Sequence, residues 1–406
     1  FPSRTRYYYL TYNGTENERQ TVPSGKTVLV LGSGAYRIGS SVEFDYCCVK
    51  TVQALKRQGM TTVMINHNPE TESTDYDECD VLYFDELSLE TVLEVAHLEN
   101  PVGVVVSMGG QVPNRLALPL HRLGIPILGT SPLRIDEAED REKFSTLLDR
   151  LGIDQPEWRQ CPDGATALSF AREVGYPLLV RPSYVLSGAA MSVVMSDHDL
   201  GEVLSRAASI SPEHPVVVSR FIRGAKEIEY DGIAAGGRPL AWAITEHVEN
   251  AGVHSGDATL VLPPQKVYCE TLRRLEMIAG KICAALEITG PFNLQFLAKS
   301  NEIKVIECNL RASRSLPFVS KVSRCELLDL AVTAMLGNPL PATLPGALHH
   351  LPYVGVKAPQ FSYSRLTGAD PVLSVEMNST GEVGCLGEDF GEALLKAILS
   401  AGLRWP

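Results

Sequence analysis

The 406-residue sequence predicts two architectures in one chain: a parallel α/β, Rossmann-like domain over residues 25–139, then an α+β domain over residues 140–338. Three observations carry that prediction. The stretch KTVLVL (residues 26–31) is apolar almost throughout, as a strand buried on both faces of a parallel sheet must be, and it runs into the turn Gly32-Ser33-Gly34. Apolar stretches near residues 62–65, 81–84, 103–107 and 126–129 repeat the strand-then-helix rhythm. Much later, residues 293–298 and 303–309 alternate around a polar turn at 299–302, as a β-hairpin does.

Composition narrows the function classes. Hydrophobic residues make up 45% and charged residues 21%, the balance of a globular chain long enough for two or three domains. No apolar run approaches the ~20 residues of a membrane helix. A net charge of -12 argues against non-specific nucleic-acid binding. Nine scattered cysteines with no CxxC pair point to a reducing, cytoplasmic compartment. The opening FPSRTRYYYLTYNG has neither an initiating Met nor the pattern of a signal peptide, and reads as a piece of a longer chain.

In chain order, residues 1–24 form a leading arm without periodicity. The glycine turn continues through Arg37 and Gly39 into a helix over residues 44–58. GSGAYRIG is not the GxGxxG of a dinucleotide site, and the next strand ends in Asn66-His67-Asn68 without the acidic residue that would hold a ribose. The turn is therefore structural or substrate-facing. A single helix over residues 138–151 leads into the second domain, and a strand over 177–181 ends in Arg181. The small-residue tip PSYVLSGAAM reads as a hairpin turn, of a kind whose backbone N–H groups can also cradle phosphate. A helix over 199–209 and a strand over 215–221 follow, and KEIEYD (226–231) alternates like an exposed strand. HVENAGVHSGD (247–257) reads as a loop whose histidine spacing fits no zinc motif. An amphipathic helix over 268–286 precedes the hairpin.

The hairpin concentrates the chemistry. Glu307 and Asn309 are two apart and share a face, a tight turn sets Gln295 opposite Glu307, and Arg311 and Arg314 follow within five residues of Asn309. Hard oxygen donors beside guanidinium groups suit a magnesium ion bridging phosphate oxygens. The plainer alternative is an exposed hairpin with solvated charges. Beyond it, a helix over 325–336 stops at Gly337-Asn338-Pro339 and residues 339–350 are linker-like. The segment 339–406 carries strands near 355–361 and 381–385 and a helix near 390–399, too small to stand apart from what precedes it.

These pieces resemble one family. GSGAYRIGSSVEFDYCCV, NPETESTDYDECDVLYF, SMGGQVPNRLA, GTSPLRIDEAEDREKF, VRPSYVLSGAAM, ENAGVHSGD, GPFNLQF and IECNLRASRSLPFVSK are similar, in order, to the large component of carbamoyl-phosphate synthase. GTSP and RSLPFVSK resemble its second, carbamate-phosphorylating half, in a eukaryotic-like form. The resemblance implies a pre-ATP-grasp domain, a two-lobed ATP-grasp fold and a C-terminal segment leading toward an allosteric domain. It implies MgATP (or its Mn²⁺ form) and carbamate as substrates, with an upstream bicarbonate-phosphorylating half and a glutaminase component as partners. A homo-oligomer is left open, and no nucleic acid or membrane is implied. By motif position, Arg141, Arg181 and the Ser187-Gly188 loop resemble ATP-binding elements. Arg220, Ile222 and Glu227 take positions that line adenine and ribose, and Gly252, Val253, His254 and Ser255 those of a loop touching nucleotide and phosphate. Gln295, Glu307 and Asn309 resemble metal ligands, Arg314 a residue near the transferred phosphate, and Arg311 a second such residue. Some members carry a glycine and then an arginine inside the loop, where this chain has Ser187, Gly188, Ala189 and Ala190, which leaves that loop's part in phosphate binding unassigned. The alternatives are another ATP-grasp carboxylate–amine ligase, or a nucleotide-binding regulatory half without turnover. A nicotinamide oxidoreductase rests on GSGAYRIG alone.

Overall fold

The computed structural model describes residues 7–19, 25–35, 42–182, 191–210, 216–362, 372–375 and 377–402. The Ser187-Gly188 loop, Arg37 and Gly39 lie outside these residues.

The first domain is a five-stranded parallel sheet. Its strands are β1 (Tyr7–Tyr8), β2 (Thr27–Leu31), β3 (Thr61–Ile65), β4 (Val81–Tyr83) and β5 (Gly103–Val105), ordered β1-β4-β3-β2-β5. Helix α1 (Val42–Arg57) follows β2 and α2 (Leu89–Glu99) follows β4. Each side of β2 enters a different core: Leu29 and Leu31 pack in one, Val28 and Val30 in the other. That double burial is why KTVLVL reads apolar on both faces. The expected strand at 126–129 reduces to one parallel bridge, Ile127 to Val104. Pro126 supplies a carbonyl to Val104 N–H but has no N–H of its own to extend the ladder.

Short helices α3 (Gln111–Asn114) and α4 (Ala117–Arg122) lead to α5 (Pro132–Glu139) and α6 (Arg141–Leu151). The single helix expected over 138–151 is therefore two. Asp140 takes an extended backbone between them, and its carboxylate accepts the Lys143 N–H as the cap of the second.

A small antiparallel sheet follows: β6 (Trp158–Cys161), β7 (Leu178–Pro182), β8 (Ser192–Val194) and β9 (Val216–Arg220), ordered β6-β9-β7-β8, with helices α7 (Gly164–Val174) and α8 (Asp197–Ile210). Leu178, Val180 and Val218 turn to those helices. Leu179, Arg181 and Ser219 turn to the opposite side.

The eight-stranded sheet organises the rest. Its strands are β10 (Lys226–Ala235), β11 (Arg238–Asn250), β12 (Leu260–Leu262), β13 (Gly290–Lys299), β14 (Glu302–Asn309), β15 (Gly346–Ala347), β16 (Val354–Gln360) and β17 (Gly381–Gly387). The order is β14-β13-β10-β11-β12-β16-β17, with β15 beside β11. The C-terminal strands continue this sheet, and α12 (Phe390–Ser400) packs on β16 and β17. On one face Ile228, Tyr230, Leu294 and Phe296 pack against α9 (Cys269–Leu286). Helices α10 (Leu316–Ser323) and α11 (Leu327–Met335) lie on the other side, where α11 also meets α1 through Arg57–Asp329 and Gln58–Thr333.

Two expectations need correction here. Strand 226–231 is not exposed: Glu227, Glu229 and Asp231 are 6%, 3% and 1% exposed, in the middle of the sheet. His247 is not in a loop but in β11, buried against Glu229. All nine cysteines are free, and among the described residues no helix is long and apolar enough to cross a membrane.

Candidate functional site

A cleft of about 310 Å³ opens between the cleft-facing side of the small sheet and the polar face of the large one. Every described residue singled out from the sequence lines it: Arg141, Arg181, Arg220, Ile222, Glu227, Gly252, Val253, His254, Ser255, Gln295, Glu307, Asn309, Arg311 and Arg314.

The hairpin aims its donors by a local irregularity. Gln295 pairs with Glu307, as expected, and Asn293 with Asn309. The register then slips, and Phe296 pairs with Val305, so Ile306 is an extra residue. Without that bulge Val305 and Glu307 would share a face; with it, Val305 stays in the core while Glu307 and Asn309 meet the cleft. The bulged carbonyl of Ile306 accepts from Arg141 Nη1. Arg141 opens α6. Ser300 and Asn301 close the hairpin with φ of 49° and 65°, the left-handed pair that a two-residue turn demands.

Polar contacts fix the donors. Asn309 Nδ2 donates to Glu307 Oε1 at 2.9 Å, and Arg311 Nη2 to Asn309 Oδ1 at 3.1 Å. Gln295 Nε2 donates to Ser255 Oγ at 3.3 Å, which leaves its carbonyl oxygen for the cleft. The set is hard oxygen donors with no thiolate among them, and it suits magnesium better than a softer metal. Among the described residues, no three His, Cys, Asp or Glu side chains gather as a metal cluster.

Of three guanidinium groups here, Arg311 is buried and Arg141 and Arg181 are half-buried, each with its Nε out of solvent. Burial and the neighbouring Arg181 push Arg141 down to about 9, against the pull of Glu307. Burial likewise lowers Arg181, opposed by Glu307 and Glu227, and lowers Arg311, opposed by Glu139 and Glu307. Desolvation outweighs the attraction of the neighbouring carboxylates, and a bound polyanion would add to that attraction. Arg314 is held from the first domain and the C-terminal segment, by Glu43 Oε1 at 3.2 Å and Ser379 Oγ at 3.3 Å.

The loop after β11 is pinned by its own residues. Gly256 N–H donates to His254 Nδ1 at 3.0 Å, so the neutral ring carries its proton on Nε2. Burial lowers the His254 pKa, favouring that neutral form. The Asp257 carboxylate accepts the backbone N–H groups of Asn378 and Ser379 at 2.8 and 2.9 Å, tying the loop to the C-terminal segment.

Sequence reasoning passed over what lies beneath the donors. Glu229 meets His247 at 3.0 Å; Glu229 and Asp231 both meet Asn293 and Ser315; Lys357, 1% exposed, meets Glu382 at 3.1 Å. A signal for the carboxylates was available: apolar Ile228 and Tyr230 between Glu227, Glu229 and Asp231 describe a strand with a buried face, and so an acidic row on its other face.

Residues 24–137 match the family model for the carbamoyl phosphate synthase preATP-grasp domain, and residues 140–343 that for the carbamoyl-phosphate synthase L chain, ATP binding domain. The chain is 59% identical over 410 residues to the multifunctional protein pyrABCN of Emericella nidulans, covering 100% of this chain and 18% of that one. It is 50% identical over 410 residues to the mitochondrial carbamoyl-phosphate synthase [ammonia] of Aquarana catesbeiana, covering 100% of this chain and 27% of that one. The chain thus spans about a quarter or less of these curated relatives. The solved biotin carboxylase domain of Hydrogenobacter thermophilus 2-oxoglutarate carboxylase, in complex with MgADP and bicarbonate, aligns with a TM-score of 0.72 over 93% of this chain and 89% of that one. At 15% identity, that likeness is one of fold. Together these findings make the chain a member of the carbamoyl-phosphate synthase large-chain family, with a pre-ATP-grasp domain followed by an ATP-grasp ligase fold.

Proposed function

We propose that this cleft transfers the γ-phosphoryl group of ATP to carbamate, giving carbamoyl phosphate and ADP. The observation that carries the reading is the convergence of Gln295, Glu307 and Asn309 with Arg141, Arg181 and Arg311 on one cleft. A carbamate oxygen attacks the γ-phosphorus, the bond to the bridging β–γ oxygen breaks, and ADP departs with that electron pair. Positioning and charge neutralisation dominate such transfers.

Glu307, Gln295 and Asn309 would hold Mg²⁺ or Mn²⁺, which when bound neutralises the β- and γ-phosphate oxygens. Arg181, Arg311 and Arg314 offset the charge spread over the transferred group. Leu179, Phe221 and Ile222 give the cleft an apolar wall suited to adenine, beside Arg220. Burial pushes the Glu227 carboxyl up to about 7, where a ribose hydroxyl is a suitable donor to it. Gly252, Val253, His254 and Ser255 serve as the phosphate-side loop, with His254 as a neutral donor. The inner end, lined by Ser33, Gly109 and Gln111 of the first domain next to Arg311 and Arg314, suits the small acceptor. It lies at the carboxyl ends of β2 and β5, where the strand order of the parallel sheet reverses. The Ser187-Gly188 loop, outside the described residues, belongs to the same proposal as an ATP-binding element. So do an upstream bicarbonate-phosphorylating half, a glutaminase component, a downstream allosteric domain and a cytoplasmic setting.

The test is ATP formation from MgADP and carbamoyl phosphate, with Glu307→Ala alongside. The native chain is expected to make ATP and the variant to lose at least about 10²-fold in kcat while keeping its fold by circular dichroism. Tight MgADP binding without any ATP formation would replace this reading with a nucleotide-binding regulatory half. Full activity in Glu307→Ala would remove the metal assignment.

A further inference from the structure

The two arginines at the phosphate end sit on a short connection between β14 and α10, and the other residues of that connection behave as pegs. Leu310 and Ala312 are fully buried, and Ala312 N–H donates to the Ser107 carbonyl at 2.8 Å. Ser313 and Ser315 are 7% and 2% exposed. Ser313 Oγ donates to Asp231 and accepts the Leu316 N–H at 3.0 Å. Ser315 Oγ lies 2.6 Å from Asp231 Oδ2, 2.9 Å from Glu229 Oε2 and 3.1 Å from Ser313 Oγ. Asn293 Nδ2 closes the network from β13, at 3.0 Å from Glu229 and 2.9 Å from Asp231.

Holding an ordinary turn does not call for two buried carboxylates. Asp231 has only neutral hydrogen-bond donors, and a buried carboxylate so placed costs stability that an amide of the same shape would not. A carboxylate does something an amide cannot, accepting on both oxygens: Asp231 meets both serine hydroxyls and Asn293, with Ser315 giving its one proton to a single carboxylate at a time. Departures from the cheapest core chemistry collect at functional sites.

We propose that Glu229 and Asp231 are positioning residues. Through Ser313 and Ser315 they lock the connection so that Arg311 and Arg314 face the phosphate end of the cleft. This rests on the phosphoryl-transfer reading above.

The test uses Asp231→Asn and the double variant Ser313→Ala/Ser315→Ala in the reaction of MgADP with carbamoyl phosphate. Asp231→Asn is expected to lower kcat about 10-fold or more, to leave the KM for MgADP within about twofold, and to match or exceed the native Tm. A native kcat in Asp231→Asn overturns the proposal, and so does a fall in Tm that accompanies equal losses in kcat and nucleotide affinity. Crystal structures of the double variant give a readout that needs no turnover. Arg311 and Arg314 displaced, with Gln295 and Glu307 unmoved, support the proposal; unmoved arginines overturn it. Should the native chain make no ATP, the functional reading fails, and the crystal structures still decide the positioning role.

Discussion

Two sheets of this chain are equally buried by opposite means. In the first domain, β2 places Leu29 and Leu31 in one core and Val28 and Val30 in another, all at 0% exposure. In the large sheet, β10 puts Ile228 and Tyr230 into a core on one side and Glu227, Glu229 and Asp231 under the cleft on the other. Burial of the first kind stabilises at about 25 cal/mol per Å² of apolar surface. Burial of the second kind costs free energy unless each carboxylate is met by donors. The comparison separates residues that hold the fold from residues that hold the reaction, and mutations should separate along the same line.

The largest effect on stability belongs to the apolar sheet. Leu29→Ala removes a fully buried side chain between two layers, and a loss of about 3 kcal/mol is expected in urea unfolding. MgADP affinity of the folded fraction should stay native. A selective loss of nucleotide affinity at native stability would break the division.

A smaller effect, on activity, comes from Gly256. A methyl group there would run into Arg314 Nη1 and Met377. Gly256→Ala should therefore displace Arg314 and lower kcat about 10-fold, with a smaller stability loss than Leu29→Ala. Native kcat in this variant would show that Arg314 does not need its present place.

How much of this was legible in the sequence follows the range of the interactions. The pairing of Gln295 with Glu307 is local, set by a two-residue turn together with the bulge at Ile306 that shifts the register by one; the sequence named the pair but not the bulge that makes it. The bulge at Ile306 went unread, although the doubled apolar Val305-Ile306 breaks the alternation of that stretch. Helix α10 went unpredicted although Pro317 sits in its first turn, where proline starts a helix as readily as it stops one. The acidic row on β10 could not be placed from its own strand. Ser313 and Ser315 approach Asp231 from 82 and 84 residues away, and Asn293 from 62. Without those partners, three alternating acids look like a solvated face.

The subtlest test asks whether the acidic row strains the fold, and pH reads it. Burial raises Glu227 to about 7 and Asp231 to about 6, and raises Glu382, beside Lys357, to about 7. A carboxyl raised in the folded state binds its proton more tightly there than in the unfolded chain. Its contribution to stability is complete below the unfolded value and is lost as pH rises through the folded one. His247 works in the same sense: burial opposes its protonation, but Glu227 and Glu229 outweigh that and raise it. Glu229, although burial pushes it upward, is lowered by His247, so its contribution disappears only in acid, below the ordinary carboxylate range. His254 and His349, lowered by burial, act in the opposite sense as pH falls through the ordinary histidine range, but three raised carboxyls and His247 stand against these two, so Tm should rise as pH falls from 8 to 6. Glu227→Gln should flatten that slope, while Leu29→Ala, which touches no titrating group, should lower the whole curve and keep its shape. A slope unchanged in Glu227→Gln would mean that this carboxylate is already matched by its neighbours, and the contrast between the two sheets would then rest on Asp231 and Glu382.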